Sequence, residues 1–529
     1  MKEHLRPFLI IFLFFVVFSI LFYGQSSNFL VDFSREAEIP YQMLLGQKLF
    51  KDIFLIYGFW GYFCNFLLYK ISANINLILL EANIIAFFIS ILFYFILNKF
   101  LTNKKSALFF TVIFIITSIF SCSTFSFVVP YSFSTLWAYF SIFYIIFSLL
   151  YKFDKFLFLM LGLLFVSRIE VFFLIFLFVT VYKIIQKEKF SLDFLYILVF
   201  PSIFLLYISL NKIHYTDILN NLKYLKTMAK TSSLTYFYKG MGVLFEIKYF
   251  IYNIKNFTLY LLFFAFSYFL YSKNKRILFY IVTILFFAFC NLVFLYNLGV
   301  FFLSLLFIYL FCKKKITKFD IVFYFFSLMM SIKSIFALNV FGYANFSFVF
   351  VVSNIYLFLT KIFEKKFLNV HFLIFLVFLS FINIKNLILD KKIKYDTNSA
   401  QVYLKSDDYK NFTETDFYIK KNIKKDENFV VLPEGQIFNF INKKNWNFYN
   451  STFTPLDFET FSDEYFIKNL SNKKTDYVIF YPRNTKDYKS ESICLDYGVD
   501  FCSYIVDNYV IAKIVGKNEV LIYKRKDEK

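Results

Sequence analysis

Apolar stretches of 13 to 24 residues recur along the first 389 residues, separated by polar loops. A helix needs about 20 apolar residues to cross a bilayer, and shorter segments can be broken or re-entrant where other protein shelters them. The sequence therefore predicts a polytopic all-α membrane protein with about 13 transmembrane helices. The predicted segments lie near 8–23, 75–98, 106–120, 133–150, 156–168, 169–182, 191–210, 249–271, 277–296, 299–312, 319–336, 345–360 and 370–388.

The positive charge of the chain is concentrated between these segments. Residues 1–389 carry a net charge of +20, whereas residues 390–529 carry +1. A basic protein can indicate nucleic-acid binding, but Lys and Arg in short loops are typical of the cytoplasmic side of a membrane protein. We therefore predict no nucleic-acid partner. The basic loops contain Lys99, Lys104, Lys105, Lys152, Lys155, Lys183, Lys187, Lys189, Lys273, Lys275, Arg276, Lys313, Lys314, Lys315, Lys318, Lys361, Lys365 and Lys366.

The alternation of these loops along the chain predicts the sidedness. If they are cytoplasmic, the loop after the first helix, the loops 121–132 and 212–248 and the region 390–529 face the periplasm of a bacterium. The first apolar segment lacks a clear small-residue cleavage site, so we predict a retained helix rather than a removed signal peptide. The prediction is a multi-pass protein of the bacterial inner membrane with a cytoplasmic N-terminus.

The composition changes after residue 389. The runs NFVVLP, TDYVIFYP and VLIYKR predict strands, and helical patterns occupy about 400–423 and 458–470. We therefore divide the chain into a transmembrane domain, 1–389, and a small soluble α/β domain in the periplasm, 390–529. Cys494 and Cys502 lie in this domain, and the sequence alone does not decide whether they form a disulfide. No metal-binding Cys/His spacing and no GxGxxG or GxxxxGK motif occurs.

Four of the 14 acidic residues of 1–389 lie in the first predicted periplasmic loop: Asp32, Glu36, Glu38 and Asp52. Carboxylates are costly to desolvate near a bilayer and often mark a functional site. The alternative is an ordinary solvated loop. The stretch EIPYQMLLGQKLF has helical spacing and predicts an amphipathic helix lying on the membrane surface and ending at Gly46. Asp32 would then stand just before this helix at the rim of the bundle.

Arginine and a basic loop supply further candidates. The chain has six arginines against many lysines, and an arginine suits planar, bidentate contacts. Arg168 and Glu170 lie between two short apolar segments. They are either a contact for a phosphate or an acceptor, or a structural ion pair. The loop 212–248 carries His214, Lys226 and Lys230 among further lysines. It suggests an anionic ligand such as a lipid phosphate, or else a solvated loop that contacts headgroups.

Three stretches resemble a known class. DFSREAEIPYQMLLGQKLFKDIFLIYG is similar to the first periplasmic loop of bacterial GT-C glycosyltransferases, the integral-membrane enzymes related to protein O-mannosyltransferases and lipid A aminoarabinose transferases. GLLFVSRIEVFFLIFLFV and FGYANFSF, which contains Tyr343, resemble later segments of that class. The chain departs from it in having Gly58-Phe59 where relatives have Gly-Pro, and Asp32 followed by Glu36 where some have an adjacent Asp-Glu pair.

The resemblance implies a GT-C-like fold and transfer of a sugar from a polyprenyl-phosphate carrier to a glycan, lipid or protein acceptor. It implies Asp32 as general base with Glu36 as a further catalytic-site residue. The implied substrate-binding residues are Arg35, Asp52, Arg168, Glu170, His214, Lys226, Lys230 and Tyr343. Membrane lipids are the further partners. No cofactor is predicted beyond the lipid-linked donor, and a divalent metal is compatible with the chemistry but supported by no motif. Two alternatives stay open: a flippase or transporter of lipid-linked sugars, and an O-antigen ligase or polymerase.

Overall fold

The computed structural model describes residues 2–26, 28–101, 103–123, 125–187, 192–289, 299–334, 341–397, 400–516 and 519–526. The ends of two predicted apolar segments, 290–296 and 335–336, and the basic-loop residue Lys189 lie outside the described residues.

Helices account for nearly all regular structure before residue 390. They are α1 (Lys2–Phe22), α2 (Asp32–Leu44), α3 (Phe59–Ile71), α4 (Ile75–Leu101), α5 (Lys104–Phe114), α6 (Phe133–Tyr151), α7 (Asp154–Ser167), α8 (Ile169–Ile185), α9 (Val199–Leu210), α10 (Tyr215–Met228), α11 (Ser232–Gly240), α12 (Ile247–Ser272), α13 (Arg276–Phe289), α14 (Gly299–Cys312), α15 (Lys318–Met330), α16 (Phe348–Leu359) and α17 (Lys365–Leu389). A π-helical turn, Ile115–Ile119, extends α5, and a 3₁₀ segment, Leu192–Leu198, leads into α9.

Six described helical segments are long and apolar enough to cross a membrane: α1, α4, α6, the segment Leu192–Leu210, α12 and α17. Their length and composition indicate a multi-pass membrane protein. Each of the thirteen predicted segments contains described helix, but several of these helices are short, so the number of crossings stays a prediction. The sequence did not predict α3, whose apolar run is interrupted by Asn65 and Lys70.

The region after α17 combines short strands with helices. The strands are β1 (Ile393–Asp396), β2 (Gln401–Leu404), β3 (Phe429–Leu432), β4 (Tyr477–Phe480), β5 (Tyr509–Val515) and β6 (Val520–Arg525). The helices are α18 (Ser406–Asn422), α19 (Ile437–Ile441), α20 (Pro455–Phe461), α21 (Asp463–Asn472) and α22 (Val499–Asn508).

Four of these strands form a small mixed sheet, in the region where the sequence predicted strands. Its order is β3-β4-β6-β5, with β3 and β4 parallel and the other pairs antiparallel, while β1 and β2 form a separate antiparallel pair. The three predicted strands are β3, β4 and β6. β1, β2 and β5 were not predicted, and β2 lies within the stretch 400–423 for which the sequence predicted helix. Cys494 and Cys502 are joined in a disulfide.

The prediction that the helix after Asp32 lies on the membrane surface is wrong. α2 is buried from Phe33 to Met43, between α3 and the C-terminal region. The Ile437 N–H donates to Ser34 Oγ at 2.6 Å, and the ring of Tyr41 packs edge-on to Phe440. The polar side of α2 therefore faces protein rather than water. The predicted end of the helix is close, since α2 ends at Leu44 and Gly46 has a φ of +98°.

Candidate functional site

The chain after α2 is held by two close backbone approaches. A Cβ on Gly58 would lie 1.8 Å from the backbone oxygen of Ser167, and one on Gly61 would lie 2.4 Å from the backbone nitrogen of Ser134. Ser134 Oγ also donates to the Gly58 oxygen at 2.5 Å. Only glycine fits at these two points. Tyr57, which precedes Gly58, is thereby placed beside Arg168, which follows Ser167.

An aromatic ring lies against two arginines at this point. The guanidinium carbon of Arg35 is 4.7 Å from the centroid of the Tyr57 ring, and that of Arg168 is 4.6 Å from the same centroid. We call these three residues the Arg–Tyr–Arg stack. The ring quadrupole attracts both cations and offsets their repulsion. The stack is therefore a fixed concentration of positive charge built from three separate parts of the chain.

Hydrogen bonds fix both guanidinium groups. Arg35 donates to the backbone oxygen of Tyr131 at 3.0 Å. Arg168 donates through Nε to Thr135 Oγ1 at 3.2 Å and through a second nitrogen to the same oxygen. Thr135 lies in the first turn of α6. Ser132 is the N-cap of this helix, and its hydroxyl accepts from the Thr135 N–H. The loop 125–132 and the start of α6 thus orient both arginines.

Glu36 is fully buried and ties three elements together. Its carboxylate accepts from the Tyr62 hydroxyl of α3 at 2.9 Å, from the Phe133 N–H at 2.8 Å and from Arg35 Nε at 3.4 Å. Burial raises the pKa of Glu36, while the Arg35 charge and these bonds oppose the rise. A buried carboxylate with this many partners is held in place by them. Glu36 therefore lies beside the stack but is enclosed by protein.

Asp32 has the open carboxylate of this group. Its side chain is 31% exposed, Oδ1 lies 3.8 Å from Arg35, and it accepts no hydrogen bond from the described residues. Burial raises the pKa of Asp32, and the charges of Arg35 and Arg483 oppose the rise. Asp32 is thus a carboxylate whose oxygens stay available to a ligand and whose basicity is increased.

The C-terminal region contributes a third arginine near Asp32. Arg483 donates through Nε to Glu434 at 2.5 Å and lies 3.4 Å from Asp487. Burial raises the pKa of Glu434, and the Arg483 charge opposes this. Tyr488, in the same loop, stacks on Phe237 of α11 with ring centroids 5.4 Å apart. The site is therefore closed on one side by residues that follow the last long apolar helix.

On the other side of the stack, Arg168 opens into a cavity between α6, α8 and α15. Glu170 accepts from Arg168 at 3.3 Å and from Lys333 at 3.4 Å, so the ion pair that the sequence left as one of two alternatives is present. The polar end of the cavity is lined by these two cations with Tyr131 and Tyr343. Thr135 and Tyr139 also line it. The rest of its wall is apolar: Ala138, Ile142, Val171, Leu174, Ile175, Met329, Met330, Ile332 and Phe346.

Tyr343 reaches the cavity through a short 3₁₀ turn, Tyr343–Phe346. Asn345 anchors this turn by donating to the backbone oxygens of Ser118 at 3.0 Å and Phe125 at 2.8 Å. The ring of Tyr343 lies 4.6 Å from that of Phe125 and 6.4 Å from that of Tyr131. The structure therefore brings this turn to the same place as the first loop and the Arg168 junction.

The structure does not bring every predicted site residue to the stack. Asp52 is exposed and accepts from the Lys48 N–H at 2.9 Å in a turn further along the first loop. The other three are exposed side chains of α10 or its ends. His214 directly precedes α10, Lys226 lies in its last turn, and Lys230 follows its end by two residues. No described hydrogen bond or ion pair joins them to Arg35 or Arg168. Their predicted role in binding substrate stays a prediction.

Several residues at the site were not singled out from the sequence. Tyr57, Tyr131, Thr135 and Lys333 gave no local signal, because a tyrosine or lysine is ordinary in this composition. Arg483 had a usable signal, since arginine is scarce in the chain. No group of three or more His, Cys, Asp or Glu side chains that could hold a metal ion occurs in the part of the chain that the structure describes.

No protein-family profile matches the chain, and no curated protein matches it.

Proposed function

We propose that the chain is a glycosyltransferase that moves a sugar from a polyprenyl-phosphate donor to an acceptor hydroxyl, with Asp32 as general base. The observation that carries the proposal is the position of the Arg–Tyr–Arg stack. It lies between an open carboxylate, Asp32, and a cavity that is cationic at one end and apolar along its length.

The cavity between α6, α8 and α15 suits a lipid phosphate. Arg168 and Lys333 would contact the phosphate oxygens, because a guanidinium and an ammonium both donate charge-assisted hydrogen bonds to anions. The rest of the lining is mostly apolar, and in a cavity of about 50 Å³ it would contact only the first part of an isoprenoid chain. Glu170 is paired with both cations. When the phosphate binds, it would either replace Glu170 as their partner or share them with Glu170.

In the proposed reaction the acceptor oxygen attacks the anomeric carbon of the donor sugar. Asp32 accepts the hydroxyl proton, the new glycosidic bond forms, and the bond between the anomeric carbon and the phosphate oxygen breaks. The bonding electrons leave with polyprenyl phosphate, whose developing charge Arg168 and Lys333 stabilise. The raised pKa of Asp32 favours this role, because a base works best when its pKa approaches the working pH.

The proposed location is the periplasmic face of a bacterial inner membrane. The stack, the loop 125–132, the Tyr343 turn and the C-terminal region meet at one end of the helices. The predicted basic loops connect the same helices at their other ends. Lys and Arg mark the cytoplasmic side, so the site would lie opposite.

The test is sugar release and transfer by the purified full chain in detergent, supplied with polyprenyl-phosphate-linked hexoses. Asp32→Asn is expected to lower transfer roughly 10²- to 10⁴-fold, as removal of a general base does. Asp426→Asn is the matched control, because Asp426 is an exposed carboxylate of the C-terminal region. Undiminished transfer by Asp32→Asn contradicts the base assignment.

The same preparation separates the alternatives. Translocation of a lipid-linked sugar in liposomes without release of polyprenyl phosphate would identify a transporter instead. Transfer of an intact polymer from a polyprenyl-diphosphate carrier would identify a ligase or polymerase.

A further inference from the structure

We propose that a second cavity, formed by the first loop, α10 and the C-terminal region, is a binding site for a neutral saccharide. The cavity has a volume of about 410 Å³, within the roughly 300–1,000 Å³ of small-ligand sites. We call it the outer cavity. As an acceptor site it rests on the proposed glycosyltransferase function, whereas saccharide binding itself does not.

The lining of the outer cavity carries balanced charge. Lys51 and Asp52 come from the first loop, Asp217 from α10 and Lys473 from the segment after α21. Two cations and two anions give no net charge, so the cavity offers no selectivity for an anion or a cation. It instead presents many hydrogen-bond donors and acceptors close together, which is what a ligand with several hydroxyl groups requires.

Much of this hydrogen-bonding capacity is unused. Asp52 and Asp217 each accept a backbone N–H through Oδ2, from Lys48 and His214 respectively, and no described hydrogen bond occupies their Oδ1 atoms. The side chain of Asn220 makes no hydrogen bond to the described residues. A side-chain amide can donate to one hydroxyl and accept from the next. The cavity therefore holds oriented polar groups that face open space.

Three half-buried tyrosines, Tyr224, Tyr449 and Tyr465, line the same cavity. The ring of Phe461 holds two of them, with centroid distances of 4.7 Å to Tyr224 and 5.0 Å to Tyr465. Phe54 holds the third, at 5.7 Å from Tyr449. The C–H face of a pyranose packs against such fixed aromatic surfaces while its hydroxyls reach the surrounding polar groups. Aromatic and polar groups together thus point to a sugar rather than to a simple ion.

The first loop contributes residues to both the outer cavity and the candidate active site. Phe54, which supports the outer cavity, precedes Tyr57 of the Arg–Tyr–Arg stack by three residues, so their Cα atoms are at most about 11 Å apart. A short oligosaccharide held in the outer cavity could place its end near the stack. This connection gives Asp52 a place in saccharide binding away from the reacting atoms.

The experiment measures binding without a donor or turnover. Neutral trisaccharides of glucose, mannose, galactose and N-acetylglucosamine are titrated against the detergent-solubilised full chain and followed by saturation-transfer NMR. At least one is expected to bind. Lys51→Ala and Asn220→Ala are expected to weaken its binding roughly threefold to tenfold, the value of one hydrogen bond. Lys223→Ala is the matched control, because Lys223 is exposed on α10 and does not line the outer cavity.

Three results would overturn the proposal: no binding of any trisaccharide at millimolar concentration, binding that neither variant weakens, or binding of inorganic phosphate or an acidic peptide in its place. Both variants alter exposed side chains without described hydrogen bonds, so they are expected to fold. Asp32→Asn separates the two proposals. If it transfers sugar normally while Asn220→Ala binds saccharide weakly, the base assignment fails and the saccharide site stands.

Discussion

Replacement of Tyr57 by leucine tests whether the ring holds the two arginines together. Their guanidinium carbons lie 4.7 and 4.6 Å from the ring centroid, so they are at most about 9.3 Å apart. Two unit charges at this distance repel by roughly 2 kcal/mol at an effective dielectric constant of 20. Two cation–π contacts of about 1 kcal/mol each offset that repulsion. Leucine keeps apolar volume but removes both contacts.

The expected loss of unfolding free energy for Tyr57→Leu is about 3 kcal/mol. About 2 kcal/mol comes from the two cation–π contacts, and about 1 kcal/mol from the edge contact with Tyr131, whose centroid is 5.9 Å away. Tyr57→Phe is the matched control and should cost less than about 1 kcal/mol, because the ring remains and the hydroxyl makes no described hydrogen bond.

The assay is denaturant titration in detergent, followed by tryptophan fluorescence. Trp60 and Trp137 report on the surroundings of the site, since their rings lie 6.3 Å apart, close in sequence to Tyr57 and Thr135. Added salt should change this loss little, because the side chains of Arg35 and Arg168 are each only 10% exposed and buried charges are screened weakly. Equal losses for the leucine and phenylalanine variants would refute the reasoning, as would a leucine variant as stable as the wild type.

Three further predictions concern the same site. The kcat/KM for transfer should fall on acidification already above pH 4, because the pKa of Asp32 is raised and the ionised base is lost below it; a profile flat to about pH 4 would contradict this. Glu36→Ala should lower the unfolding free energy by roughly 2–5 kcal/mol, because the buried Tyr62 hydroxyl and Phe133 N–H lose their acceptor. A loss below about 1 kcal/mol in the same denaturant titration would show that Glu36 does not hold these helices together. Gly58→Ala should cost about 1–3 kcal/mol or more through overlap with Ser167, whereas Gly240→Ala, where nothing lies within 4 Å, should be nearly neutral.

The sequence predicted the helical membrane character and the presence of strands after residue 389 because both depend on local composition. It predicted Asp32, Arg35, Arg168 and Tyr343 as site residues, and the structure brings these four to one place. The burial of α2 was not predictable in the same way. An amphipathic helix that faces headgroups and one that faces a folded domain have the same pattern, and the difference is made by residues such as Ile437 far along the chain.

The four carboxylates of the first loop show why charge density alone could not assign roles. Glu36 and Glu38 are buried, and burial raises the pKa of Glu38 well above its ordinary value. Asp52 belongs to the outer cavity. Asp32 faces the stack, and the charges of both Arg35 and Arg483 act to lower its pKa. Because Arg483 and Glu434 follow the last long apolar helix, the electrostatic environment of Asp32 is set jointly by the helices and the C-terminal region. Its pKa therefore depends on how the two parts pack.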